Sequence, residues 1–276
     1  MIARFVMLSL LLIMPPVGAA DEPRITLRAH RPAPGERVMT TTKTRAEGGT
    51  ISVVEDGATK SGTTGFTRRR VLEHRIVPDG SSRKLELTVR EDTLNTTLQF
   101  DGPEQKEKVT SALLGRQLTG VRNSSGRWSL MLGGGASGRQ ATELSELEAY
   151  VNRRWFIRSA VKVGDTWDID PGFVRHLIAR DFGAAATEAT LTLREIRTAS
   201  EQRTAILDCR VKTKGERKGA DAGAGIALEG TLEIDLATML DRRLVLKGSL
   251  VTHTASAARK KTVRLPLTIE VTKTLR

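Results

Sequence analysis

Residues 226–236 read IALEGTLEIDL. Ile226, Leu228, Gly230, Leu232, Ile234 and Leu236 place an apolar or small residue at every second position. Side chains alternate between the two faces of a strand, so a period of two marks a strand with one buried and one wet face. A helix would repeat at 3.6. Working outward, the same rhythm returns in Leu244, Leu246, Gly248 and Leu250, and again in Val263, Leu265, Leu267, Ile269 and Val271, running on to Leu275. The connection Ala237–Asp241 is of hairpin length, and Thr254–Lys261 is a polar, basic turn. Together these three runs read as an antiparallel meander.

The earlier chain has the same style. Leu85, Leu87 and Val89 alternate on odd positions, whereas Leu94, Thr96, Leu98 and Phe100 alternate on even ones. The phase flips near Glu91–Asp92, which predicts a bulge or a turn there. Residues 37–45 and 63–77 read as long exposed strands, and 190–196 with 204–212 as another pair. Cys209, the single cysteine, falls in register with Ala205, Leu207 and Val211, and reads as a small buried hydrophobe. No internal disulfide is available, so stability has to come from a packed core. A chain of 276 residues with 39% hydrophobic content can build one.

Helical spacing is predicted in three places. Residues 103–114 carry a sparse stripe of Val109, Ala112 and Leu113. Residues 141–155 carry Leu144, Leu147, Val151 and Trp155 on one face, with Glu143, Glu146 and Glu148 toward the start and Arg153 and Arg154 toward the end. Residues 171–180 open on Pro171 behind a capping Asp170 and present Phe173, Val174, Leu177 and Ile178. The expected fold is therefore mainly β, of α+β type. It is a long antiparallel curved sheet or half-barrel with two or three packed helices. Residues 21–276 form a single domain, or two diverged β halves around a helical section at 141–180.

The first twenty residues have the order of an export signal. Arg4 precedes an apolar run from Phe5 to Met14, Pro15 and Pro16 break it, and Val17-Gly18-Ala19-Ala20 supplies small residues for cleavage after Ala20. Ten apolar residues fall short of the ~20 that span a bilayer. The expectation is a periplasmic or extracellular protein. The formal net charge is +12, which attracts anionic partners. Aromatic residues make up only 4%, which argues against a base-stacking platform, so no nucleic acid is expected.

Candidate motifs carry little chemistry. Residues 132–145, LGGGASGRQATELS, space Gly133 and Gly138 as in a phosphate-binding loop. Arg139 and Gln140 stand where that loop needs Lys and Ser or Thr. This reads as a strand-to-helix joint. Asp165, Asp168 and Asp170 crowd one short stretch, and a hydrolase built on Asp165 and Asp168 is one reading of them. Asp165 after Gly164 also has the chemistry of a tight turn. The stretch Val161-Lys162-Val163-Gly164-Asp165-Thr166-Trp167 resembles a turn-and-strand signature of β-rich exported bacterial proteins of unknown function. Gly230–Leu246 is similar to the strand–turn–strand that often follows, except that Met239 stands at the turn position usually held by glycine. The resemblance implies a β-rich exported domain and assigns no catalytic residue. His30, His74, His176 and His253 lie far apart without metal-ligand spacing, so neither a metal nor another cofactor is expected.

The leading expectation is a non-enzymatic exported protein that holds an amphiphile. Trp155, Trp167, Phe173 and Leu177 would line an apolar concave face. Arg153, Arg154, Arg259, Lys260 and Lys261 would meet anionic groups at a rim, with peripheral membrane contact. The alternatives are an envelope interaction or scaffold protein whose basic surface binds an anionic polymer, and the carboxylate-dependent hydrolase.

Overall fold

A computed structural model describes residues 24–80, 82–152, 159–169, 183–216, 221–256 and 258–276. Its strands are β1 (Ile25–Thr26), β2 (Arg37–Glu55), β3 (Ala58–Asp79), β4 (Ser82–Gln99), β5 (Gln105–Thr110), β6 (Gln117–Arg122) and β7 (Trp128–Leu132). The helix α1 (Gly138–Val151) follows. Then come β8 (Ala160–Val161), β9 (Thr166–Asp168), β10 (Gly183–Ala199), β11 (Gln202–Glu216), β12 (Asp221–Asp235), β13 (Asp241–Ala255) and β14 (Arg259–Leu275).

Most of the described residues are in strands, and one long antiparallel sheet dominates without closing on itself. Its order is β7-β6-β4-β3-β2-β14-β13-β12-β11-β10-β9, with β5 also paired to β4. Chain order thus yields two meanders, β2–β7 and β10–β14, joined side by side where β14 pairs with β2. The opening run lies in β12. There Leu228, Leu232 and Ile234 are buried at 0–1% exposure.

The alternation has the expected consequence on both faces. Inward, Leu191, Cys209, Gly230 and Leu246 stand in one row across four strands. A Cβ on Gly230 would come 1.7 Å from the Val245 carbonyl oxygen, so only glycine lets these backbones approach. Outward, charges pair across strands: Arg210 with Glu229 at 3.7 Å, and Arg243 with Glu233 and Glu270 at 3.8 and 3.6 Å.

The phase flip in β4 is a bulge. Val71 pairs with Glu91 and Leu72 with Val89, so Arg90 is the extra residue. A second irregularity lies where β14 meets β2, between Arg264 and Thr268. Pro266 sits inside that gap and has no N–H to donate. It faces Ser249 of β13 on its other side.

Two apolar clusters cover the inner face. The larger is formed by β9–β14 together with Leu27, Val161 and Ile169. The smaller gathers Leu72, Leu85, Leu87, Leu118 and Leu130 beneath Leu147 of α1. Near the second cluster, Asp92 at 4% exposure accepts hydrogen bonds from Arg68 (2.8 and 2.9 Å) and Arg70 (2.7 Å). Burial by itself would raise the Asp92 pKa. The Arg68 hydrogen bonds and the charge of Arg70 reverse that and hold the carboxyl below its ordinary value.

Three expectations change. Residues 103–114 are not helical. Gln105–Thr110 pairs with Thr93–Leu98 of β4, because β4 extends well beyond β6 and offers free backbone groups to that segment. The sparse apolar stripe had no helical face to bury. The helix expected at 171–180 lies outside the described residues, so the described chain has one helix rather than two or three. That helix starts at Gly138, three residues earlier than its apolar spacing implies, and its first turn holds no acid. Its carboxylates act as tethers instead. Glu143 accepts hydrogen bonds from the Ser111 hydroxyl, the Ala112 N–H and Arg139. Glu148 accepts one from the Leu130 N–H.

Candidate functional site

The inner face of the sheet is not an open trough. Leu191, Leu193, Leu207, Leu232 and Leu246 are all at 0% exposure, covered by the chain itself. Trp167, expected to line a ligand face, is 8% exposed within the larger core and pairs with Leu191. It fills space rather than offering it. Trp155, Phe173, Leu177, Arg153 and Arg154 lie outside the described residues. Arg259, Lys260 and Lys261 stand exposed at the start of β14, paired to Glu55, Val54 and Val53.

Open volume occurs instead at the opposite end of the sheet, in a cleft of about 720 Å³. Lys273, on its wall, is twelve residues along β14 from Lys261, or roughly 40 Å at strand rise. Arg259, Lys260 and Lys261 are therefore not brought together with this cleft.

The cleft is built from strand ends. Ile76 near the end of β3 and Leu85 near the start of β4 supply apolar floor, continuous with the smaller core. Tyr150 and Val151 close one side from the last turn of α1. Trp128 opens β7, and Arg122 ends β6. The two residues pair across that hairpin, and the guanidinium carbon lies 4.7 Å from the centre of the indole ring. Such stacking fixes the plane of the guanidinium and leaves its N–H edges free.

A strap of N-terminal chain, Ala29–Pro32, forms the facing wall. His30 anchors it: Nδ1 lies 2.7 Å from the Thr238 carbonyl oxygen, in the turn between β12 and β13. A carbonyl can only accept, so Nδ1 carries hydrogen. Nε2 lies 3.3 Å from Glu36 Oε2. Farther along, the Gly35 N–H donates to the Ile76 carbonyl, tying the strap to β3.

The charges here are unbalanced. Asp241 is the one carboxylate lining the cleft among the described residues. Lys273 donates to both of its oxygens at 2.6 Å. Arg31, Arg83 and Arg122 also line the cleft, and among the described residues none of them has a carboxylate within 4.0 Å. Elsewhere the sheet's arginines are mostly paired, as Arg68, Arg75, Arg194 and Arg243 illustrate. Cations left without a carboxylate among the described residues, around an apolar floor, suit a ligand with an anionic end and an apolar body.

The other candidate chemistries find less support. Asp165 Oδ2 accepts from the Lys162 N–H at 2.9 Å, so this carboxylate closes its own turn, and Gly164 there has φ 90°. Asp168 is exposed on the strand face opposite Trp167. The two therefore do not converge in a cleft. Burial pushes the Cys209 thiol up to about 12, which keeps it protonated and unreactive at neutral pH. His253 packs over Gly223, and His176 is outside the described residues. Among the described residues no group of three or more His, Cys, Asp or Glu could hold a metal ion. In the joint between β7 and α1, Gly134 and Gly135 take positive φ of 85° and 83°. They turn the chain from strand to helix.

Sequence reasoning missed this cleft because its lining is drawn from strand ends, turns and the N-terminal strap, far apart in the chain. One signal was present: the turn RNSSGR, residues 122–127, holds two arginines and no acid.

No family model matches the chain. No curated protein matches it either. Among solved structures, a lipovitellin structure that describes lipid–protein interactions superposes on 89% of this chain at 9% identity, with a TM-score of 0.47. The chain spans about a quarter (26%) of that lipovitellin chain. A DUF1329 family protein from Desulfovibrio piger superposes over 85% of both chains, at 10% identity and a TM-score of 0.13. The binding domain of botulinum neurotoxin DC, in complex with rat synaptotagmin II, gives 8% identity and a TM-score of 0.16 over 84% of this chain. With every TM-score below 0.5, these likenesses carry no argument about what the protein does.

Proposed function

We propose that the protein is an exported, non-enzymatic binder of an anionic amphiphile, and that the ligand sits in the cleft at the end of the sheet. The observation that carries this reading is the combination of lining groups. Ile76, Leu85 and Trp128 form an apolar body, while Arg31, Arg83 and Arg122 stand around it without carboxylate partners among the described residues. A volume of about 720 Å³ is within the range of small-molecule sites. It has room for a head group and a short length of chain. The bulk of a long acyl chain would stay outside, because the inner face of the sheet is filled.

The scaffold alternative, a basic surface for an anionic polymer, has less in its favour. The outer face carries cross-strand pairs of both signs, so it presents no single-sign field.

Native mass spectrometry of residues 21–276, purified from an exporting host, tests the proposal directly. A stoichiometric extra mass, released into organic solvent and lost in Ile76→Trp, is the expected result. An unliganded mass, together with no binding of a fluorescent fatty-acid or lysolipid probe at micromolar concentration, would overturn it.

A further inference from the structure

The cleft also contains a pair of residues that a folding argument alone does not explain. In the β4–β6 ladder, Leu85 faces Gly120 and Leu87 faces Leu118. The ladder ends at Leu85–Gly120; carried on by two residues, its antiparallel register would set Arg83 opposite Arg122. Arg122 is in turn paired with Trp128 on β7. Leu85 and Leu130 are buried on the inner face. Residues two positions away share that face, and Arg83, Arg122 and Trp128 all line the cleft. Two arginines thus line one cleft from the ends of adjacent strands, with no carboxylate partner among the described residues. Like charges placed directly opposite cost stability. Arg31 on the strap adds a third guanidinium to the same cleft.

From this the geometry points to a subsite for a phosphate group, gripped by Arg83 and Arg122 and closed over by Arg31. The inference rests on the amphiphile reading and specifies its head group. A guanidinium fork satisfies two oxygens of one oxyanion. A carboxylate, with two oxygens, saturates a single fork. Two or three forks converging on one group call for three or four oxygens on one centre, and for more than one negative charge to offset the repulsion. A phosphate monoester supplies both. Trp128 holds the Arg122 guanidinium in plane, so less freedom is lost when the anion binds.

The experiment is calorimetric titration of the mature chain with dodecyl phosphate, dodecyl maltoside and inorganic phosphate, below the micelle concentrations. The variants are Arg83→Gln and Arg122→Gln. Dodecyl phosphate should bind the wild-type chain at least about tenfold tighter than dodecyl maltoside, and each variant should remove most of that difference. The melting temperature of unliganded Arg122→Gln should hold or rise at low salt, because a repulsion is relieved. A structural role for the residue would lower it. Equal binding of the two amphiphiles, unchanged by either substitution, would overturn the phosphate subsite and leave the amphiphile reading standing. Inorganic phosphate binding as tightly as dodecyl phosphate, with loss in both variants, would keep the subsite, identify a free phosphate ester as its source and sink the amphiphile reading. No binding of any probe would sink both.

Discussion

Met239 adopts φ 58° in the turn between β12 and β13, a left-handed conformation that costs a side-chain-bearing residue roughly 1–2 kcal/mol. Its neighbours hold it there. The Asp235 carboxylate accepts from the Ala237 and Thr238 N–H groups at 2.9 Å each, and from Gln202 at 2.6 Å. Met239→Gly should therefore raise stability by about 1 kcal/mol, read as a higher urea midpoint at unchanged slope. A second residue-scale prediction concerns acid. Asp92 has a folded pKa below its ordinary value, with burial opposed and outweighed by Arg68 and Arg70. Asp235 is shifted the same way: burial would raise it, but the Thr238 N–H, Gln202 and Arg242 bring it down. A depressed carboxylate contributes fully above its unfolded pKa of about 3.9, and the contribution fades as pH falls through the folded value. Stability should thus drop as pH is lowered from about 5 toward 3. Asp92→Asn should flatten part of that drop. It should also cost about 3 kcal/mol at pH 7, because Arg68 and Arg70 lose their carboxylate. A flat profile in the wild-type chain between these pH values would contradict this account.

At the scale of elements, α1 does more than cover apolar side chains. Strand β7 is an edge of the sheet, and an unpaired edge recruits other strands. The Asn152 side chain both accepts from the Trp128 N–H and donates to the Trp128 carbonyl, each at 2.7 Å, while Glu148 takes the Leu130 N–H. The helix thus supplies the missing ladder with side chains. Asn152→Ala leaves two backbone groups without those partners, which should cost about 1–3 kcal/mol. Amide exchange should accelerate in β6–β7 and remain slow in β11–β13. Uniform acceleration over both regions would mean global destabilisation rather than an opened edge. The sequence showed a helix here through Leu144 and Leu147. It did not show that Glu143 and Glu148 serve as tethers, because the partners outside the helix that they hold lie 18 to 32 residues away in the chain.

At the scale of the whole molecule, the two meanders share one sheet. The β14–β2 ladder runs from Arg259–Glu55 to Leu275–Val38, so neither half can expose that seam without losing strand pairing. The chain should unfold as one cooperative unit. In a Trp155→Phe background, Trp128 reports on the first meander and Trp167 on the second, each isolated by replacing the other with Phe. Coincident urea midpoints are expected once each is corrected for its own substitution. Separated transitions would show that the halves are independent.

Local alternation was enough to specify the strands at 226–236, 244–250 and 263–275 with their inward residues, and to mark the break in β4 as a bulge or a turn, because a period of two depends only on neighbours along the chain. The place of Cys209 followed for the same reason. The turn chemistry of Asp165 was likewise local. Residues 105–110 were misread because their conformation depends on the free edge offered by β4, which no nearby residue encodes. The cleft was invisible for a related reason. Arg31, Arg83, Arg122 and Lys273 meet only once strand order and register are set. Tertiary structure also buried Trp167, expected to contact a ligand, within the larger core. It left the open volume at a sheet end, where strands run out and backbone pairing no longer fills the space between them.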